Sequence, residues 1–162
     1  MKRSVRPIPE GYHAISASLT CKNAAKAIDF YKKVFGATEL VRMPGPGGLI
    51  MHAELQIGDS RIFLNDEMPP MAQAPVPGSP TGVYLFLYSE DVDAVYSRAV
   101  AEGCRVTMPL ADQFWGDRYG KFVDPFGHAW GVASHVEDVA PEEMKRRQEE
   151  AMSKMAKAAG KS

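Results

Sequence analysis

DQFWGDRYGKFVDPFGHAWGVA, residues 112–133, is the stretch that decides how this chain folds. Trp115, Asp117, Arg118 and Tyr119 lead into Lys121-Phe122-Val123, then Asp124-Pro125-Phe126-Gly127, and the chain returns from His128 to Ala133. Proline has no backbone N–H to give a ladder, and glycine accepts positive φ. DPFG therefore predicts a tight turn between two antiparallel strands. A fainter copy lies upstream, where Glu54-Leu55-Gln56-Ile57, Gly58-Asp59 and Arg61-Ile62-Phe63-Leu64 read as strand, turn, strand.

The copy extends beyond the hairpin. A shift of about 67 or 68 positions lays Ser16-Ala17-Ser18-Leu19 on Tyr84-Leu85-Phe86-Leu87. The same shift lays Ala25, Ala27, Ile28 and Gly36 on Val92, Ala94, Val95 and Gly103, and Leu55 on Phe122. An internal repeat fixes architecture before any local assignment. Identities between the halves are few, so the matching order of strand, helix and hairpin carries the argument.

Within each half the pattern is consistent. Residues 12–21 alternate, with Ile15, Ala17 and Leu19 on one face, which predicts a strand. Asn23 is suited to cap a helix whose stripe is Ala24, Ala27, Ile28, Tyr31, Val34 and Phe35, closed by Gly36. A short strand at 38–43 and a glycine-rich connector at 44–48 precede alternating strands at 50–57 and 61–65, with Met51, Ala53, Leu55 and Ile57 on one face of the former. Residues 68–80 hold five of the twelve prolines and read as a linker, because proline cannot continue a sheet or helix. The second half repeats the order: a strand at 82–88 with Val83, Leu85 and Leu87 inward, a helix capped by Asp91 carrying Val92, Val95, Ala99 and Val100, a strand at 105–108, and the opening hairpin. Beyond Ser134, Pro141 with Glu142 and Glu143 starts a helix, followed by Lys145, Arg146 and Arg147, with a thin Met144, Met152 and Met155 edge that packs on the domain or a second copy and frays by Lys157. The organisation is a first module at 12–67, a linker at 68–80, a second module at 81–136, and a helix and tail at 137–162, all in one α+β domain.

Composition narrows the function classes. A net charge of −1 offers no pull toward nucleic acid or an anionic membrane. No apolar run approaches the roughly 20 residues needed to span a bilayer. The basic N-terminus lacks an apolar segment behind it and so does not read as a secretory signal. Cys21 and Cys104 are two cysteines at strand edges, read as buried thiols of a cytoplasmic protein rather than a disulfide framework.

A four-stranded sheet covered by one helix leaves its other face bare, and two such modules can pair to form a curved mixed sheet around a cavity. The inward sets are aliphatic. The opposite sets mix Phe63, Tyr84, Phe86, Tyr88 and Tyr119 with His52, Glu54, Arg61 and Lys121, which suits aromatic walls with a few polar groups around a small molecule. The plainer alternative is a wet or dimer-covered face.

The paired βαβββ halves, the helix NAAKAIDFYKKVFGA, the segment EDVDAVYSRAVAEG and the ending GDRYGKFVDPFGHAWGVA resemble the vicinal-oxygen-chelate superfamily, the glyoxalase/bleomycin-resistance/dioxygenase fold, and within it the PhnB-like branch. The resemblance spans roughly residues 11–138. It implies a homodimer, a cavity for each module pair and, in the enzymes, a divalent metal held from the first and last strand of each half. Carried over by register, those positions are Ser16, Phe63, Tyr84 and Gly131. Phenylalanine and glycine offer no donor, and neutral serine and tyrosine are poor ones, so no metal and no cofactor are expected.

Of the four histidines, His13, His128 and His135 read as structural or solvent-facing. His52 shares a strand face with Glu54, and a carboxylate beside imidazole can fix its tautomer for general-base work. Two functions follow. In the first, the protein holds a small aromatic or amphipathic molecule in a metal-free cavity lined by Ser16, Phe63, Tyr84, Phe86, Trp115, Tyr119 and Lys121. In the second, a divergent lyase, isomerase or dioxygenase uses His52 and Glu54 for acid–base chemistry or a non-standard metal site.

Overall fold

The computed structural model describes residues 5–79 and 81–160. The first four residues, Pro80 of the linker and the last two of the tail lie outside the described residues. The chain forms two compact units, one reaching to Thr81 together with Asp124–His128, the other Gly82–Val123 with the residues from Ala129 onward.

The first unit contains β1 (Ala17–Cys21), α1 (Ala24–Phe35), β2 (Thr38–Pro44), β3 (Ile50–Ile57) and β4 (Ser60–Asp66). They form a mixed sheet in the order β1-β4-β3-β2, with β1 parallel to β4. The second unit contains β5 (Leu85–Tyr88), α2 (Val92–Ala101), β6 (Arg105–Asp112), β7 (Asp117–Val123) and β8 (Ala129–His135), ordered β5-β8-β7-β6, and then α3 (Pro141–Ala159). The repeat holds at the level of register. Ala17 pairs with Ile62 as Leu85 pairs with Trp130, a displacement of 68 at both ends.

Local chemistry explains why both helices start where they do. Asn23 accepts from the Lys26 N–H at 3.0 Å, and Asp91 accepts from the Ala94 N–H at 2.9 Å, one displacement apart. Each satisfies an orphan donor of a first helical turn. A second acceptor reaches each helix from the last strand of its sheet. Asp66 accepts from the Ala24 N–H at 2.7 Å, and Ser134 accepts from the Val92 N–H at 3.0 Å. Asp66 also accepts from the Ile50 N–H at 2.7 Å, so its buried carboxylate ties α1 to β3.

The cores follow the apolar alternation. In the first unit Ala27, Ile28, Tyr31 and Val34 of α1 are buried, as are Leu55, Ile57, Ile62 and Leu64 of the sheet. In the second, Val92, Val95 and Ala99 of α2 are buried, with Phe122, Trp130 and Val132. The DPFG turn forms as expected. Asp124 Oδ1 accepts from the backbone of Phe126 and of His128, each at 2.9 Å, and Gly127 sits at φ 92°. This turn belongs to the first unit: Tyr31 donates to Asp124 at 2.7 Å, and His128 Nε2 donates to the Thr20 carbonyl at 3.0 Å. Cys21 and Cys104 are free and buried, and burial followed by the carboxylates of Asp124 and Asp66 pushes the Cys21 thiol up to about 12. That thiol is inert at neutral pH.

Several boundaries differ from the sequence expectation, those of the strands because of pairing. Alternation tells which way side chains point, but a ladder needs a partner strand. The strand expected at 12–21 begins at Ala17, where its parallel pairing with Ile62 of β4 starts, and Ile15 is 89% exposed. The strand expected at 82–88 begins at Leu85, leaving Val83 exposed rather than inward, because β8 begins at Ala129. Met51 is exposed and Ile50 buried, since β2 and β3 shift register between Met43 and Pro44. Val100 is exposed on α2. The strand at 105–108 runs on to Asp112, bending around two register shifts against β7. α3 runs past Lys157 to Ala159 and buries no residue, with Met152 and Met155 exposed. Arg147 ties it to Glu137 with contacts of 2.7 and 2.8 Å. The linker carries only an isolated bridge between Met68 and Ala72 among its described residues.

Candidate functional site

Each sheet turns one face to its helix and keeps the other open, and residues directly opposite across a ladder share a face. In the first unit Glu54 lies opposite Phe63, and Phe63 beside Ser18. His52 Nε2 stands 3.1 Å from Glu54 Oε1. A carboxylate only accepts, so His52 donates through Nε2, and its Nδ1 is the ring's acceptor when neutral. The expected His52–Glu54 pair therefore forms.

Tyr12 completes the cluster and was not anticipated, since its segment reads as a strand by alternation. Its hydroxyl donates to Glu54 Oε2, its ring lies 6.2 Å from Phe63, and the Arg61 guanidinium sits 4.2 Å above that ring. The Tyr12 hydroxyl holds the Glu54 carboxyl below the usual range, against the opposing effect of burial, with His52 assisting. The same bond pushes the Tyr12 phenol up. Ser16 lies half-buried just ahead of β1 and takes no part in this cluster's hydrogen bonds.

The open face of the second unit is aromatic. Phe86 stacks on Tyr119 with ring centres 5.3 Å apart and planes 13° apart, and Tyr88 lies 4.9 Å from Phe86. Trp115 meets Tyr119 edge-on at 5.9 Å. At one end the Lys121 ammonium lies 4.0 Å above the Tyr84 ring. The structure thus brings together five expected residues: Tyr84, Phe86, Trp115, Tyr119 and Lys121. Burial first, then a hydrogen bond with the Tyr84 hydroxyl, pushes Tyr119 up to about 12.

At the other end stands Asp117, 4% exposed. It accepts from Trp115 Nε1 at 3.1 Å, Tyr88 Oη at 3.0 Å and His135 Nδ1 at 2.8 Å. Burial pushes this carboxyl up, but the three donors outweigh it and leave it below the usual range. His135 is raised by its bonds to Asp117 and then Asp138. His135 is the last residue of β8 and is paired across the ladder with Asp117. The antiparallel register of the hairpin, continued from the DPFG turn, is the sequence signal that would have found this pair.

The four register positions of a metal set do not fit a divalent cation. Phe63 and Gly131 carry no donor, and space at Gly131 is already filled. A Cβ there would lie 2.9 Å from both Oη and Cε2 of Tyr119 and 3.1 Å from Cε2 of Tyr84. Among the described residues no three His, Cys, Asp or Glu side chains are grouped to hold a metal. Among the described residues no helix is long and apolar enough to cross a membrane.

Comparison with known proteins fits this geometry. A family model described as Glyoxalase/Bleomycin resistance protein/Dioxygenase superfamily matches residues 13–132. An uncharacterized protein of Mycobacterium bovis is 44% identical over 135 residues, covering 81% of this chain and 89% of its own length. Protein YjdN of Escherichia coli is 27% identical over 133 residues, covering 68% of this chain and 86% of its own. Among solved structures, TioX from Micromonospora sp. ML1 matches with a TM-score of 0.60 at 29% identity, over 75% of this chain and 98% of that one.

Proposed function

Because the chain belongs to the Glyoxalase/Bleomycin resistance protein/Dioxygenase superfamily, we propose that it binds a small aromatic or amphipathic molecule, without a metal, on the open face of its second module. One observation carries this reading: Tyr84, Phe86 and Tyr88 are 44%, 45% and 61% exposed along one edge of a stacked aromatic cluster. A solvated sheet face gains nothing from such a row, whereas a planar ligand gains offset stacking, about 0.5–1.5 kcal/mol for each ring pair beyond the buried area. Tyr119, stacked on Phe86, and Trp115, held by Asp117, keep the wall rigid, which limits the entropy lost on binding. The donor sets at Ser16, Phe63, Tyr84 and Gly131 support the metal-free part of the reading.

A thermal-shift screen of bicyclic aromatic compounds tests it, since a ligand selective for the native state raises its stability by mass action. Binders should appear, and Phe86→Ala with Trp115→Ala should weaken them at least tenfold while the fold persists. A screen without binders ends the reading, and stoichiometric zinc, nickel, manganese or iron in the purified protein ends its metal-free part.

A second reading is favoured by the hydrogen-bonded chain Tyr12–Glu54–His52. Such a chain suits an acid–base enzyme in which His52 Nδ1 takes a proton and Glu54 steadies the resulting imidazolium. Turnover of any bound aromatic compound that His52→Asn abolishes would move the function to this site. The PhnB-like branch, a homodimeric state and a cytoplasmic location complete the proposal. They are supported by the NAAKAIDFYKKVFGA and DPFGH motifs, the exposed Met152 and Met155, and the two free, buried thiols.

A further inference from the structure

Resting on the aromatic-binding reading, we infer that the ligand carries an acceptor oxygen on its aromatic frame, a carboxylate or phenolate, and that the Tyr84 hydroxyl donates to it under the charge of Lys121. Three features of the second module converge on this assignment. The Tyr119 hydroxyl is hydrogen-bonded to that of Tyr84, and Tyr119 is 6% exposed while Tyr84 is 44% exposed. Tyr119 is the buried member, with the Tyr84 oxygen as its hydrogen-bond partner, whereas Tyr84 is reached by solvent. The Tyr119 proton therefore goes to the Tyr84 oxygen, and the Tyr84 proton is left to point toward solvent or a ligand. Hydrogen bonds in such a chain polarise one another, so Tyr84 becomes a stronger donor than a lone phenol.

The charge distribution selects the oxygen. Lys121 lies 4.0 Å from the centre of the Tyr84 ring, so the donor end of the face is cationic. The far end holds Asp117, an anion whose two oxygens already accept from Trp115, Tyr88 and His135. An anionic aromatic molecule is consequently oriented, its oxygen toward Tyr84 and Lys121 and its apolar rim along Phe86 and Tyr88. The backbone underneath is built for the tyrosine pair. Gly131 lies opposite Lys121 and beside Phe86, and any Cβ there would press on the Tyr119 hydroxyl at 2.9 Å. Gly131 thus reads as the residue that lets the donor relay sit flat on the sheet.

Calorimetric titration with 2-naphthoate and with 2-methylnaphthalene separates the outcomes. Wild-type protein should bind 2-naphthoate at least tenfold more tightly than 2-methylnaphthalene. Tyr84→Phe, which keeps the ring, and Lys121→Met should each remove most of that preference. Circular dichroism melts of both variants should overlay the wild type. If 2-methylnaphthalene binds and 2-naphthoate binds no better, or if Tyr84→Phe keeps the preference, the donor assignment is overturned while aromatic binding stands. If neither compound binds the wild type, the aromatic-binding reading falls and takes this one with it.

Discussion

The open faces of the two sheets stand on the same frame and carry opposite chemistry. One row makes the point. In the first unit Ser18, Phe63 and Glu54 lie side by side across β1, β4 and β3. The matching row of the second unit is Phe86, Gly131 and Lys121 across β5, β8 and β7. The large ring has moved from the last strand to the first, a small residue has taken its former place, and the charge has reversed. The repeat therefore preserves backbone pairing and the helix-facing core, while the open faces are free to diverge. A hydrogen-bonded polar cluster around Glu54 occupies one, and an aromatic wall occupies the other.

The shared frame is the part most costly to break. Leu55 and Phe122 are equivalent positions and both are fully buried. Leu55→Ala should cost about 2–5 kcal/mol and Phe122→Ala about 3–5 kcal/mol in urea unfolding. A loss under 1 kcal/mol at either position would mean the two cores are not equivalent in packing.

The helix-tying acceptors should separate the modules more finely. Asp66 accepts two backbone N–H groups as a buried anion, whereas Ser134 accepts one as a neutral hydroxyl. Hydrogen bonds to charged groups are worth about 1.5–3 kcal/mol and neutral ones about 1 kcal/mol. Asp66→Ala should thus destabilise by about 3 kcal/mol or more and Ser134→Ala by about 1 kcal/mol. Equal losses would erase the distinction.

The pH responses should run in opposite directions and be smaller still. Glu54 titrates below its ordinary value, so its contribution to stability is present above the unfolded carboxyl value of about 4.3 and is lost as pH falls through the folded value. Tyr12→Phe should bring the Glu54 titration, followed by NMR, back toward the ordinary range. His135 titrates above its ordinary value, so its contribution is present below about 6.5 and is lost as pH rises through the folded value. Its side chain is 52% exposed, so solvent screens the pair and the change should be slight. An NMR titration placing His135 at or below the ordinary histidine value would remove this half of the contrast.

Much of this was legible without coordinates. The caps Asn23 and Asp91, the DPFG turn, most of the inward aliphatic sets and the joint presence of Tyr84, Phe86, Tyr119 and Lys121 on one face follow from period, turn chemistry and the repeat. The pair His52–Glu54 was equally legible, two residues apart on one strand face. Tyr12 was not, because its hydroxyl reaches 42 positions along the chain from a segment outside any strand. Asp117 and His135 were read apart because their relation depends on how far the hairpin ladder extends.

The amino-acid sequence alone determined the repeat, the direction most strand residues face and the chemical character of the two open faces, because these follow from local periodicity and turn geometry. The tertiary structure decided where strands stop, which donors meet Asp117 and Glu54, and that Tyr84 and Tyr119 crowd the space above Gly131. Those outcomes depend on partner strands and on volumes shared by residues distant in the chain, and no local pattern encodes them.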